Sequence, residues 1–110
     1  MSKETVSKEY IERNGQTLKV EIYYDLGGYN YFSGNMKERG YYASVCPVER
    51  STSNDGYIIE KYTAFTGTCQ LLYTVKRKSK VAAIRAENIF TDEMRENLIN
   101  HVLINNGLIA

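Results

Sequence analysis

The side chains able to do chemistry are few, and they are scattered. His101 is the only histidine, and no Ser, Cys or carboxylate is spaced from it as a catalytic triad requires. Its place near the end of a helical segment suits a solvated or capping role, because a helix C-terminus favours a protonated imidazole. The clustered carboxylates Asp92, Glu93 and Glu96 fall where a helix begins, and the helix dipole accounts for them without a reaction. Cys46 and Cys69 lie outside any C-x-x-C or Cys/His spacing, so no zinc site is expected. They read as two buried free thiols. A disulfide between them requires their two strands to pair in register. Gly27-Gly28 and Gly34-Asn35 form the only glycine-rich segment, which has neither a Walker Gly-Lys-Ser/Thr ending nor a dinucleotide-binding spacing before a helix. The expectation is therefore a protein with no catalytic residue, no metal, no cofactor and no enzymatic activity.

Two features do stand out as possible binding chemistry. Tyrosine occurs 10 times, against three Phe and no Trp. A tyrosine ring buries well while its hydroxyl reaches water, so one reading is a small core rimmed by amphipathic rings. The other takes the pairs Tyr23-Tyr24 and Tyr41-Tyr42. Strand alternation sends one member of each pair to either face, and Tyr23 with Tyr41 or Tyr42, joined by Tyr29 and Tyr31, would form an exposed aromatic surface for a protein partner. The second feature is basic: Lys76, Arg77, Lys78, Lys80 and Arg85 have no acidic residue among them before Glu87. Such a run usually sits solvated in a strand-to-helix turn, and its functional alternative is contact with nucleic-acid phosphates.

These residues must be held by a fold, and the pattern indicates which. Asn14-Gly15 supplies the positive φ angles of a tight hairpin turn. After it Leu18, Val20, Ile22 and Tyr24 alternate with Lys19, Glu21, Tyr23 and Asp25, a strand with one face inward and the other wet. Before the turn, residues 1–9 are polar enough to fray, which leaves a short first strand. Residues 27–40 mix glycine with Tyr29, Tyr31 and Phe32 and read as an irregular connection. A strand from Gly40 meets Pro47, which makes it an edge strand or ends it near Cys46. The runs 57–66 and 68–77 read as a second hairpin around Thr66-Gly67, with Cys69, Leu71, Tyr73 and Val75 on the core face. Ser79 and Thr91 are N-caps for two helices, and Gly107 suits the left-handed position after the second. Met94, Leu98, Ile99, Val102 and Leu103 form that helix's apolar stripe.

The reading is α+β: a single domain over residues 1–110, with four to five antiparallel strands followed by two C-terminal helices on one sheet face. The length of 110 residues and net charge of +1 exclude a second core and both polycationic and strongly acidic binding modes. No apolar run is long enough for a membrane span and no secretory leader is evident, so the expected location is cytoplasmic with no membrane partner. A free sheet edge near Pro47, or the spare apolar residues Ile104 and Ile109, leaves a homodimer open.

The segment from Tyr23 to Phe32, with Arg39-Gly40-Tyr41-Tyr42 and Pro47-Val48, resembles small uncharacterised proteins of bacterial mobile elements or phage. The resemblance implies an accessory or regulatory role and transfers no functional residue. The function expected is thus a non-enzymatic protein-interaction or regulatory module, with nucleic-acid binding through residues 76–85 as the alternative. Leu98→Ala is expected to cost roughly 2 to 5 kcal/mol in a denaturant melt if the apolar stripe is core. An unchanged midpoint would remove the helix-on-sheet arrangement.

Overall fold

The computed structural model describes residues 3–31 and 33–109. Met1 and Ser2 of the polar N-terminal stretch, Phe32 of the glycine-rich segment and Ala110 lie outside the described residues. The elements run β1 (Lys3–Arg13), β2 (Gln16–Asp25), β3 (Gly28–Asn30), β4 (Asn35–Lys37), β5 (Gly40–Thr52), β6 (Ile58–Tyr62), β7 (Thr68–Thr74), α1 (Lys80–Ile89) and α2 (Asp92–Asn105). The class is α+β, as the sequence implies. Five antiparallel strands form the main sheet, β3 and β4 form a separate ribbon, and the two helices follow. Among the described residues no helix is long and apolar enough to cross a membrane.

The local signals act where they fall. Asn14 and Gly15 take φ of 54° and 79°, closing the β1–β2 hairpin. The Ser79 hydroxyl accepts from the Ala82 amide at 3.0 Å, and that of Thr91 accepts from the Met94 amide at 3.2 Å, so each helix starts on the expected cap. At the end of α2 the Leu108 amide reaches the Leu103 carbonyl at 2.8 Å and the Gly107 amide reaches Ile104 at 3.1 Å, a Schellman closure with Gly107 at φ 70°.

The core lies between the helices and one sheet face. Leu18, Val20, Ala43 and Val45 pack against Leu98, Ile99, Val102 and Leu103 of α2. Ile22, Tyr24 and Tyr41 pack against Ala82 and Ala86 of α1, whose small side chains let the helix approach the tyrosine rings. Leu72 touches both groups.

The strand plan differs from the sequence expectation in four respects, each with a local reason. First, β1 extends back to Lys3, because Lys3 pairs with Glu21 at 3.0 Å and Thr5 donates to the same carboxylate, giving the polar segment partners across the sheet. Second, β5 is a central strand that passes through Pro47. On one side it pairs with β2 from Gly40 to Pro47, while on the other it pairs with β7 up to Val45 and with β6 from Val48 onward. Pro47, buried, sits at that change of partner, where a missing amide disrupts no ladder on the β6/β7 side. Third, β6 and β7 do not form a hairpin with each other; they follow one another along the same edge of β5.

Fourth, the faces of β7 are mixed. The register shifts between Tyr41 and Tyr42, so that Tyr41 opposes Tyr73 and Tyr42 opposes Leu71, with Leu72 as the extra residue. Tyr73 and Val75 therefore join the core with Leu72, whereas Leu71 and Cys69 fall on the opposite face with Tyr42 and Ser44. Gly40 sits against this irregularity. A Cβ there would lie 2.2 Å from the Tyr73 carbonyl oxygen, so Gly40→Ala must force β5 and β7 apart. It is expected to destabilise the protein by about 1 to 3 kcal/mol or more in a denaturant melt, and a neutral result would contradict this close strand approach.

Candidate protein-interaction edge

On the face away from the helices, strand pairing builds a charged and aromatic layer. The Tyr23 and Tyr42 rings stack at 5.6 Å, and the ammonium groups of Lys3 and Lys37 sit over Tyr23 at 4.3 and 5.4 Å. Lys37, delivered by the β3–β4 ribbon, also pairs with Asp25 at 3.0 Å. Glu21 and Asp25 are consequently buried at 4% and 1% exposure, which corrects the expectation that this face of β2 is wet. Burial alone would raise the Glu21 carboxyl, but the Thr5 hydroxyl and Lys3 outweigh it and hold it below its usual value. Burial, with the neighbouring Cys69 thiol, pushes the Tyr23 hydroxyl well above the ordinary phenol range.

The five tyrosines expected to share an exposed surface are divided by the fold. Tyr23, Tyr41 and Tyr42 are 5%, 1% and 6% exposed, whereas Tyr29 and Tyr31 are 49% and 88% exposed. Tyr41 lies on the helix side, stacked on Tyr73 at 5.5 Å, and Tyr42 donates to the Glu38 carbonyl at 2.6 Å. Only Tyr29 and Tyr31, edge to face at 4.9 Å on the β3–β4 ribbon, remain a surface pair. An exposed surface including Tyr23 and Tyr41 or Tyr42 is thus ruled out, because adjacent strands and the ribbon cover those rings.

The basic residues are only partly brought together. Lys78 is ion-paired with Glu4, and the Arg85 guanidinium lies 5.0 Å from the Tyr73 ring. Lys76, Arg77 and Lys78 border an open groove of about 440 Å³ with Glu4, buried Tyr24 and Leu26; Lys80 starts α1 and is exposed. Of the other candidate groups, His101 is exposed and shares a 2.9 Å hydrogen bond with Asn105. Both cysteines are free and line one groove of about 490 Å³, but Cys69 is exposed where burial is expected. Cys69 opposes Ser44 in the ladder, so the in-register pairing that a Cys46–Cys69 disulfide requires is not formed.

The surface that sequence reasoning overlooks is β6 and the turn before it. From Val48 to Thr52, β5 runs on beyond its ladder with β2, and β6 is its partner there. The result is a two-stranded arm. Its turn is tied by the Ser53 amide to the Tyr57 carbonyl at 2.7 Å and by the Gly56 amide to the Ser53 carbonyl at 3.0 Å. The Cα radius of gyration, 15.0 Å, exceeds the roughly 13 Å of a compact chain of this length.

Along this arm Tyr57, Ile58, Ile59 and Tyr62 are 72%, 65%, 39% and 72% exposed. Ile58 and Tyr62 oppose Thr52 and Val48, and Ile59 opposes Ser51, so the exposed apolar side chains occupy both faces of the strand. β6 also ends the sheet on this side. The sequence signal is the adjacent pair Ile58-Ile59 between Asp55-Gly56 and Glu60-Lys61: in a strand without a bulge two consecutive side chains point to opposite faces, so both cannot enter one core.

The arm is anchored at its base by polar contacts. Tyr10 donates to Glu60, Lys19 pairs with Glu60 at 3.1 Å, and the Arg50 guanidinium lies 3.8 Å from the Tyr10 ring. Beyond β6, the Thr66 amide donates to the Asn106 side-chain oxygen at 2.9 Å while the Asn106 amide group donates to the Thr66 carbonyl at 2.8 Å, fastening the loop to the end of α2. No protein-family model, curated protein or solved structure matches the chain.

The hydrogen bond from Tyr10, helped by Lys19, holds the Glu60 carboxyl below its usual 4.5. A carboxyl depressed in the folded state contributes stability above its unfolded value, and that contribution is lost as pH falls through the folded value. The stability gap between the native protein and Glu60→Gln is therefore expected to narrow as thermal melts are taken from about pH 6 down to pH 3. A gap independent of pH would show that Glu60 does not anchor the arm as an anion.

Proposed function

We propose that the protein is a non-enzymatic protein-binding module that accepts a partner's strand along the free edge of β6. The carrying observation is that β6 ends its sheet with exposed apolar side chains on both faces. Soluble chains usually protect such an edge with charge, proline or a covering segment. β1, the edge on the other side, follows that rule with Lys3, Glu4, Lys8, Glu9, Glu12 and Arg13, whereas β6 has only Glu60 and Lys61, and Glu60 is already held by Tyr10 and Lys19. A two-stranded ribbon is marginal by itself in water, so a third strand would both cover the apolar residues and complete the arm. Strand addition draws affinity from main-chain hydrogen bonds and specificity from alternate side chains, which suits a short edge of mixed character. Tyr29 and Tyr31 offer a second, smaller aromatic contact away from this edge.

Nucleic-acid binding is the second reading, favoured by the placement of Lys76, Arg77 and Lys78 around one groove. Against it stand the pairing of Lys78 with Glu4 and the net charge of +1. Phosphate contacts would make affinity fall steeply with salt.

Two measurements separate the readings. A photo-crosslinking amino acid at Ile58 is expected to capture a protein partner, while oligonucleotide anisotropy at low salt shows no binding. Salt-sensitive oligonucleotide binding that disappears when Lys76, Lys78 and Lys80 are changed to Glu, with no protein captured at Ile58, would replace the first reading by the second.

A further inference from the structure

We propose that Cys46 and Cys69 together bind one thiophilic monovalent metal ion of the copper(I) class, as a two-coordinate dithiolate site. The inference is independent of the strand-addition reading. The thiols come from different strands, and the ladder fixes how they are related. Cys69 opposes Ser44, and Cys46 lies two residues beyond Ser44 along β5, so both side chains leave the same sheet face as diagonal neighbours. Both line the groove of about 490 Å³ on the face away from the helices. Gly67 stands across from Cys46: a Cβ there would lie 3.2 Å from the Cys46 Cβ, so a glycine at this position leaves the space beside the thiol open. The hydrogen bond from Cys46 to the Pro47 carbonyl, at 3.7 Å, is a weak one.

The spacing selects the chemistry. Diagonal residues of an antiparallel pair are about 7 to 8 Å apart, with their Cβ atoms somewhat closer. A disulfide needs Cβ atoms about 3.5 to 4.5 Å apart, so thiols placed in this way do not join directly. Two metal–thiolate bonds of about 2.3 Å each, set in line, hold the sulfurs about 4.6 Å apart and span the wider gap. Among the described residues no group of three or more His, Cys, Asp or Glu is placed to hold a metal ion, which leaves zinc without its four ligands. Soft thiolates favour copper(I), and that ion is satisfied by two of them in line. Binding displaces two thiol protons and leaves a single negative charge on the site. Lys3 and Lys19, which also pair with Glu21 and Glu60, line the same groove as the thiols. Burial pushes the Cys46 thiol up, and these two lysines act against it. The Tyr23 hydroxyl, kept protonated by burial and by Cys69, is placed to donate to the Cys69 sulfur.

Anaerobic titration of the reduced full chain with copper(I) held by a chromophoric chelator tests the site. The native chain is expected to withdraw one equivalent of copper(I) and to gain a thiolate-to-copper absorption in the ultraviolet. Cys46→Ser and Cys69→Ser should each weaken binding about a hundredfold or more, because a single thiol loses the advantage of chelation. Without metal, melts of both variants should stay close to the native chain, since Cys69 is exposed and Cys46 half-buried. With copper(I), the native melting midpoint should rise while that of neither variant does, because an ion held by the folded arrangement stabilises it.

A native chain that takes no copper(I) from the chelator overturns the proposal, as does binding that survives undiminished in either single variant. Binding that leaves the native midpoint unchanged or lowers it also overturns it, since the two thiols would then be acting without the fold that aligns them. One ion held between two chains would place the site between copies and overturn the assignment within a single chain.

Discussion

One strand has to serve three partners, and the rest of the molecule follows from how it does so. β5 is thirteen residues long, too long for any one neighbour on its outer side, so β7 takes the first half and β6 the second. The changeover must occur where a backbone amide can be dispensed with, and Pro47 supplies that position. Gly67, on the chain just before β7, approaches so closely that a Cβ there would lie 2.8 Å from the Val45 carbonyl oxygen. The seam between the two outer strands is thus made of a residue without an amide hydrogen and a residue without a side chain.

The halves on either side of this seam have different physics. The first half of β5 is buried between β2 and β7 and under the helices, where burial of apolar side chains dominates. In the second half, Glu49 to Thr52 are exposed, and what holds β6 in place is backbone pairing with a few polar anchors around Tyr10 and Glu60. Local stability follows buried contacts, so the arm belongs to the low end of the molecule's range and the helix-covered half to the high end. Binding surfaces are commonly drawn from that low end, and here the boundary falls at a single residue.

Much of this was legible where the cause is local. Asn14-Gly15, the caps Ser79 and Thr91, the stop at Gly107 and the inward face of Leu18, Val20, Ile22 and Tyr24 each act within a few residues, and each appears as read. What escaped is set by partners distant in sequence. The burial of Glu21 and Asp25 depends on Lys3 and on Lys37 folding over from another ribbon. The phase of β7 depends on one extra residue, Leu72, which transfers Leu71 away from the core while Tyr73 stays in it. The tyrosine anomaly was real, but adjacency in sequence said nothing of which rings β2, β5 and the ribbon would cover. The candidate edge lay instead at Tyr57 to Tyr62, in a run whose two isoleucines looked like ordinary strand.

The paired hydrogen bonds between Asn106 and Thr66 carry a mechanical consequence. Asn106 also donates to the Val102 carbonyl at 2.7 Å, inside the last turn of α2. A load applied along the arm therefore does not stop at the loop that follows β6. It is transmitted through one carboxamide into the end of the helix, whose Val102 and Leu103 are wedged in the core. Beside the β5 ladder and the polar anchors at its base, the arm thus has a connection to the core helix that runs through the one side chain of Asn106.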